Sequence, residues 1–505
     1  MIRIFTIGII LLLTVSCSGF LKDYSQDLAY VHSYTDLDEL LIGGAYLAPD
    51  FTSLEGVTPY VHLMADEIRE NIEDANGFGS DLNTHGRDKY FGYYTWQKRV
   101  DLGIDNLEKV NQSLDWQCFY ERINVANMII AGIADQKASN EEEEADIARI
   151  RGEAYFLRGV YYFWLVNLYG KPYTASTAST DPAVPLKTTE YVEDKKFTRN
   201  SVQEVFDQVI KDLDEAEKSL EKAVHKSIFR ADITAAYLLK SRVYLYMRDW
   251  EKAKFYAEKV LENNNSLVDL NTFPAKGKFL DDDCAEIIFS TGNNWLGLNT
   301  TMQQKGMSTS QDLIDALQEN ENDLRFNIFL SKDYPPYYPC NKYEGYGGNI
   351  SDVCVYRTAE AYLNLAEACA YLNDEGGARE TLNALRKCRI HEDYEVTSSG
   401  KALMEDIRNE RYRELCFEGH RWYDLRRYSV CEQYPLEKVL RNTYTTFLYD
   451  YDVYKNIPQQ TFVYKLKPGD PAYVLPIPRE VLEFDELMND NPRNDRGVAE
   501  TINYN

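Results

Sequence analysis

The stretch from Tyr356 to Ser429 constrains the fold more than any other. It opens with two amphipathic helical segments. Tyr362, Leu365, Ala366, Cys369 and Leu372 recur three or four residues apart on one face, Gly376 and Gly377 break the pattern, and Ala378, Leu382 and Leu385 restart it. Alanine where two helices must approach closely is characteristic of stacked helical hairpins. The second half mixes acids and arginines with large apolar side chains on nearly every side. Glu410, Glu414 and Glu418 are spaced by four, which predicts a shared helix face, and Arg411, Arg421, Arg426 and Arg427 are interleaved with Leu415, Phe417, Trp422 and Leu425. Such a helix is expected to run between layers with its charges paired, because an unpaired buried carboxylate is strongly unfavourable. Three glutamates on one face do not supply the two opposed carboxyls of sugar hydrolysis, so the stretch reads as a pinned junction between a helical scaffold and the rest of the fold.

Upstream, the same helical period appears repeatedly. Residues 34–48 read as a helix capped near Thr35, with Leu37, Leu40, Leu41 and Ala45 inward. Residues 101–134 read as one or two helices, and Ala145 to Leu168 as a strong one stopped by Tyr169-Gly170-Lys171-Pro172. The acidic run Glu141 to Asp146 reads as a solvated helix start. Ser201 and Glu204 form a capping box for a helix over 201–220, and helices over 231–247 and 253–261 flank the turn at Asp249-Trp250. These pairs resemble tetratricopeptide units without making a regular array. The stretch 262–354 is rich in Asn, Gly, Pro, Tyr and Asp, with a short strand at Glu286 to Ser290, and 428–475 reads as mostly irregular. The expected fold is therefore mostly α: a tetratricopeptide-like helical-hairpin scaffold, from 17–261 and 355–427, carrying an irregular loop-rich ligand-binding lobe with few short strands, from 262–354 and 428–505. All of 17–505 is taken as one unit.

Composition narrows the function. The net charge of −26 across 505 residues, with no basic stripe, disfavours nucleic acid. The six histidines lack zinc-site spacing, no GxSxG, Walker or dinucleotide motif is present, and no catalytic residue, metal or cofactor is predicted. At the N-terminus, Arg3 and the apolar run Ile4 to Val15 make a signal peptide over residues 1–16, too short to span a membrane as a normal helix. Thr14-Val15-Ser16-Cys17 resembles a lipobox, so Cys17 is the expected lipidation site and several acyl chains the anchor. Among the other cysteines, Cys340 and Cys354 are candidates to pair across a loop, with connectivity left open.

Ligand contact is sought in loops rich in aromatics. Tyrosine is abundant, at 39 residues, and offers a flat face with a hydrogen-bonding tip. The candidates are Tyr93, Tyr94 and Trp96 after a polar loop, Asn293, Asn294 and Trp295 after the short strand, and Tyr337 and Tyr338 in a Pro/Tyr-rich loop. Tryptophan would stack on a sugar ring while the asparagines take its hydroxyls.

The motif Asn409-Glu-Arg-Tyr-Arg-Glu-Leu-Cys-Phe-Glu-Gly-His-Arg-Trp-Tyr-Asp-Leu-Arg-Arg427 resembles the C-terminal signature of the SusD/RagB family of outer-membrane nutrient-binding lipoproteins, through Glu410, Arg411, Glu414, Leu415, Phe417, Glu418, Gly419, Arg421, Asp424, Leu425 and Arg426. Further resemblances are Trp116, Tyr120, Ile123, Ala126 and Asn127 on one helix, Glu153 to Pro172 on the next, the Glu286-to-Phe289 step, and the closing Leu475-Pro-Ile-Pro478 and Asn491-Pro492. The usual glutamine before the last pair is Asp490 here, and the proline common soon after the lipidated cysteine is missing. The resemblance implies a lipid-anchored, cell-surface binding protein that captures oligosaccharide for polysaccharide utilisation. It would deliver this ligand to a TonB-dependent SusC-like transporter in the outer membrane, without bond breaking. Peptide uptake in the manner of the RagB branch, a structural protein-binding helical-repeat adaptor, and a surface glycoside hydrolase are the alternatives. They are separated by ligand class, by the absence of small-ligand binding, and by turnover, respectively.

Overall fold

The computed structural model describes residues 33–46, 60–72, 86–274, 277–292, 296, 306–332, 338–343 and 349–504. Helix α1 (Tyr34–Leu40) continues into a π-helical turn, Leu41–Ala45. Its cap is Ser33, two residues earlier than Thr35, because Asp36 lies three residues on and closes a capping box. The short α2 (Tyr60–Met64) leads to strand β1 (Ile68–Glu70), and α3 (Gly86–Lys89) and α4 (Phe91–Tyr94) follow. The region expected to be helical from 101 is helical only as α5 (Ser113–Ala134), since hydrogen-bonded turns around Asn106, at φ 60°, occupy the preceding stretch.

Helix α6 (Glu141–Tyr169) starts earlier than its apolar period. Asn140 caps the Glu143 N–H at 2.9 Å, and four glutamates in the first turn complement the helix dipole. Helices α7 (Val202–Leu220), with the Ser201–Glu204 capping box, α8 (Ile233–Met247) and α9 (Trp250–Asn263) complete this part of the scaffold. Glu153 and Arg158 are both paired: Glu153 is held by Arg149 at 2.8 Å and Arg230 at 2.6 Å, and Arg158 grips Asp212 at 2.6 and 2.9 Å.

The stretch 262–354 is less irregular than its composition implies. It contains β2 (Ile287–Ser290), β3 (Met307–Thr309), α10 (Gln311–Gln318) and α11 (Arg325–Phe329). Strand β3 pairs antiparallel with β1, and β2 with β4 (Val355–Arg357). Cys340 and Cys354 are separate thiols. Next come α12 (Thr358–Tyr371) and α13 (Glu375–Lys387). The hairpin turn lies just before Gly376 and Gly377, which sit in the first turn of α13. Asp374 caps that helix through the Gly377 N–H at 3.0 Å. Trp250 stacks on Tyr371 at 3.8 Å between centroids, tying α9 to α12.

Helix α14 (Gly400–Glu414) ends at the second of the three spaced glutamates, and α15 (Arg421–Ser429) starts a new direction. Glu418 therefore does not share a helix face with the other two. The chain turns through Phe417, at φ 62°, and Gly419, at φ 75°, where a side chain would press on the Val353 backbone at 3.1 Å. All three carboxylates still enter one ion cluster. Glu410 meets Arg325 at 2.6 Å and Arg386 at 2.9 Å. Glu414 meets Arg357 at 2.7 Å and Arg389 at 2.9 Å, and Glu418 meets Arg357 at 2.7 Å and Lys342. Glu286 closes the ring on Arg357 and Arg389. Every partner except Arg386 is essentially removed from solvent. The expected pinned junction is thus real, and it locks β2, β4, α11 and α13 onto the end of α14.

The largest departure from the sequence reading lies in 428–475. Instead of irregular chain it holds a long hairpin, β5 (Leu440–Asp450) and β6 (Lys455–Leu466). After α16 (Arg479–Phe484), β7 (Glu500–Asn503) adds to β6, giving the order β5-β6-β7. Pro458 sits beside a register shift between Thr446 and Phe447, where a strand tolerates a residue without an N–H.

Candidate functional site

The site begins at the Ala65-Asp66-Glu67 step that links α2 to β1. Asp66 is gripped by Arg421 at 2.7 and 2.8 Å and by Lys438 at 2.6 Å. Burial opposes its ionisation, but these cations hold its carboxyl far below the usual carboxylate range. The Ser310 N–H donates to the Glu67 carbonyl at 2.8 Å, so β3 and the start of α10 are fixed against the same step. At the end of β1, Glu70 accepts from the Thr445 N–H at 2.7 Å and Thr445 Oγ1 at 2.9 Å, and Arg87 donates to the same oxygen as the Thr445 N–H. This fastens β1 to β5. Burial pushes the Glu70 carboxyl up, partly offset by Arg87.

Between these fixed strands lies a cleft of ≈ 530 Å³. Its walls are β1, the start of α10, and one face of the three-stranded sheet, with Asn71, Gln311 and Tyr504 at its margins. The register places Thr445, Thr461 and Ile502 side by side across the sheet on that face. The volume suits a small-molecule site, and the lining is a mixture of hydroxyl, amide, guanidinium and aliphatic groups.

The aromatic candidates fare differently. Trp96 is 1 % exposed and its indole N–H donates to the Met64 carbonyl at 2.9 Å, so it is a core side chain and offers no open face to a sugar. Tyr93 is buried and stacks on Tyr60 at 4.0 Å between centroids, beside a hollow of ≈ 90 Å³. Tyr94 is also buried, yet its hydroxyl accepts the Glu70 N–H at 2.9 Å and it does line the large cleft. Apolar burial wins for all three because α4 and the turn after it pack into the core. At Gly92 a Cβ would lie 2.4 Å from the Val100 carbonyl oxygen, so Gly92→Ala should destabilise the fold by about 1–3 kcal/mol, read as a lowered urea midpoint. Tyr338 packs its ring against Phe326 at 5.2 Å between centroids and lies away from the cleft lining. Asn293, Asn294, Trp295, Tyr337 and the lipidation candidate Cys17 lie outside the described residues. Leu296, next to Trp295, donates its N–H to Asp352 at 2.8 Å.

Sequence reasoning missed Arg69, Asn71, Gln311, Lys438, Arg441 and Tyr504. The available signal was the run Arg441-Asn-Thr-Tyr-Thr445, whose β-branched and aromatic residues at alternate positions mark a strand with a polar face. Among the described residues no group of His, Cys, Asp and Glu is placed to hold a metal ion, and no helix is long and apolar enough to cross a membrane.

Two family models match the chain. That of the SusD family covers residues 284–493, and one described as starch-binding associating with outer membrane covers 57–245. The SusD-like protein P25 of Formosa agariphila is 25% identical over 490 residues, spanning 82% of this chain and 87% of the relative. The SusD-like protein P38 of the same organism is 25% identical over 398 residues, spanning 64% and 74%. Among solved structures, a putative sugar binding protein from Bacteroides vulgatus superposes with a TM-score of 0.71 at 23% identity, covering 92% of this chain and 99% of that one. A SusD superfamily protein from Bacteroides thetaiotaomicron gives 0.68 at 21%, covering 91% and 100%. The glutamate–arginine junction lies inside the first matched segment, α5 to α7 and most of α8 inside the second, and the fold of both is that of the solved relatives: this chain belongs to the SusD-like family.

Proposed function

We propose that this protein is a lipid-anchored, cell-surface binding protein. In this reading it captures an oligosaccharide in the cleft between β1, α10 and the β5-β6-β7 sheet and passes it to a TonB-dependent SusC-like transporter. The observation that carries the reading is the cleft itself: ≈ 530 Å³ of polar, ligand-sized space whose walls are fixed by buried ion pairs. Relatives named as sugar binding, and a family model named for starch binding at the outer membrane, support the ligand class and the location. Cys17 would supply the anchor. The net charge of −26 would contribute to docking on the transporter through electrostatic complementarity. The chain's role is binding without turnover.

Calorimetric titration with a panel of oligosaccharides and mixed peptides tests this. One glycan class should bind saturably and remain chemically unchanged. Gln311→Ala and Tyr504→Ala, both at the margin of the cleft, should each weaken binding about fivefold to tenfold, the loss of one or two hydrogen bonds. Saturable binding of peptides alone would select the peptide-uptake alternative, and affinity untouched by both substitutions would move the site elsewhere.

A further inference from the structure

Cations in this chain are generally spoken for. Arg325, Arg357, Arg389 and Arg427 each hold buried carboxylates, and Arg426 is spent on backbone carbonyls. Arg69 is different. It is the middle residue of β1, between the buried Ile68 and Glu70, and it lines the cleft half-buried. Among the described residues no carboxylate comes within ion-pair distance of it, and its Nη1 reaches only Gln311 Oε1, at a marginal 3.4 Å. Arg441 lines the same cleft from β5, and its nearest carboxylate, Glu500, is 4.0 Å away in an exposed pair that contributes little.

The cleft's acids do not cancel these two charges. Asp66 is neutralised by Arg421 and Lys438 together, and Lys438 also reaches Asp312 at 2.7 Å. Glu70 is paired with Arg87, which it shares with Asp88, and burial holds the Glu70 carboxyl above the usual range. Two ligand-facing guanidiniums therefore remain in a protein that is strongly acidic elsewhere. The overall −26 would repel a distant anion, but at physiological salt that field is screened over ~8 Å, whereas a ligand inside the cleft would touch the arginines directly. Arginine also presents a planar fork that matches a carboxylate or sulfate with two parallel hydrogen bonds, a geometry lysine lacks.

Resting on the reading of the cleft as an oligosaccharide site, we infer that its ligand is an anionic oligosaccharide, whose carboxylate or sulfate groups are taken by Arg69 and Arg441 while Asn71, Gln311 and Tyr504 take neutral hydroxyls. A neutral glycan could accept hydrogen bonds from these guanidiniums through its hydroxyls but would bring no counter-charge to either, so an anionic group gains more from them.

The test is calorimetry on the full chain with three probes of matched length: a galacturonate oligosaccharide, a sulfated galactan oligosaccharide and a maltooligosaccharide. At least one anionic probe should bind about tenfold or more tightly than the neutral one, and the probe that wins tells carboxylate from sulfate recognition. Its affinity should fall steadily between about 0.1 and about 1 M salt, as the screening length shrinks from ~10 to ~3 Å. Arg69→Gln and Arg441→Gln should each weaken that probe about tenfold, with Arg69→Lys retaining part of the affinity. Arg441 is exposed and Arg69 partly so, and circular dichroism of each variant checks that the fold persists. If the maltooligosaccharide binds as tightly and neither arginine variant changes any affinity, the anionic assignment is overturned while the oligosaccharide reading stands. If no probe of any charge binds, the oligosaccharide reading of the cleft falls with it.

Discussion

Glu414→Ala is expected to lower the unfolding free energy by about 3–5 kcal/mol, the range found when one member of a buried ion pair is removed. Glu414 has no exposed surface and accepts from Arg357, Arg389 and Arg325 at 2.7–3.2 Å. Truncation leaves Arg357 with Glu286 and Glu418, and Arg389 with Glu286 alone. The buried guanidiniums then lose a counter-charge at a site removed from bulk solvent, and a cavity the size of a carboxylate adds to the loss. Lys401→Ala provides the control, since its pairs with Glu405 and Glu437 are exposed and 3.6 Å long and are worth under about 0.5 kcal/mol. Urea unfolding followed by tryptophan fluorescence measures both. A Glu414→Ala loss no larger than the control's would mean that the cluster is relaxed by water or by rearrangement, and that the junction is held mainly by its apolar neighbours.

The same cluster shows how much of the architecture could be read from the chain. The helical period gave the scaffold because α7 and α13 each bury one stripe, while α8 and α12 are buried nearly all round, and caps such as Ser201–Glu204 announced their starts. The need to pair buried charge predicted the junction, since physics offers no cheap alternative. Spacing alone could not predict that Glu418 leaves the helix, because that depends on positive φ at Phe417 and Gly419. The sheet was missed for a related reason. Its strands carry Tyr, Thr and Asn, and half of each faces a polar cleft or solvent, so little apolar alternation survives in β5. The site was the least legible part. Trp96 was an attractive platform as a residue type, but only the tertiary structure reveals that its N–H is spent on Met64 and its ring on the core. Arg69 looked like one charge among many; its importance lies in having no carboxylate partner among the described residues, which sequence cannot show.

Acid should dismantle the junction in two stages, and His420 should set the first. His420 is buried beside Arg242, Arg411, Arg357 and Lys342, and burial first, then these cations, holds its imidazole well below 6.5. A depressed folded pKa means that the unfolded chain binds a proton the native state refuses. This contribution is complete above about 6.5 and is lost as pH falls below it, at about 1.4 kcal/mol per unit for one proton. His225 acts in the opposite sense, because its hydrogen bond to Asp232 raises its pKa, so the His420 share is isolated by comparing the native protein with His420→Gln. The second stage begins near the usual carboxylate range. Although burial opposes ionisation, Arg325 and its neighbours lower Glu410 to about 2, cations hold Glu414 well below 4.5, and Glu418 and Asp424 are lowered too. These groups stabilise the fold above about 4.5, and their share falls away as pH drops toward about 2, roughly 3 kcal/mol for Glu410 alone. Glu70 and Asp212, whose carboxyls are raised, offset part of this loss. Urea midpoints from pH 8 to pH 3 should therefore show a shallow limb below about 6.5 and a steep one below about 4.5. His420→Gln should remove the shallow limb and spare the steep one. A profile in the variant parallel to the native one between those two values would mean that His420 is protonated in the folded protein, and that the surrounding cations do not control it.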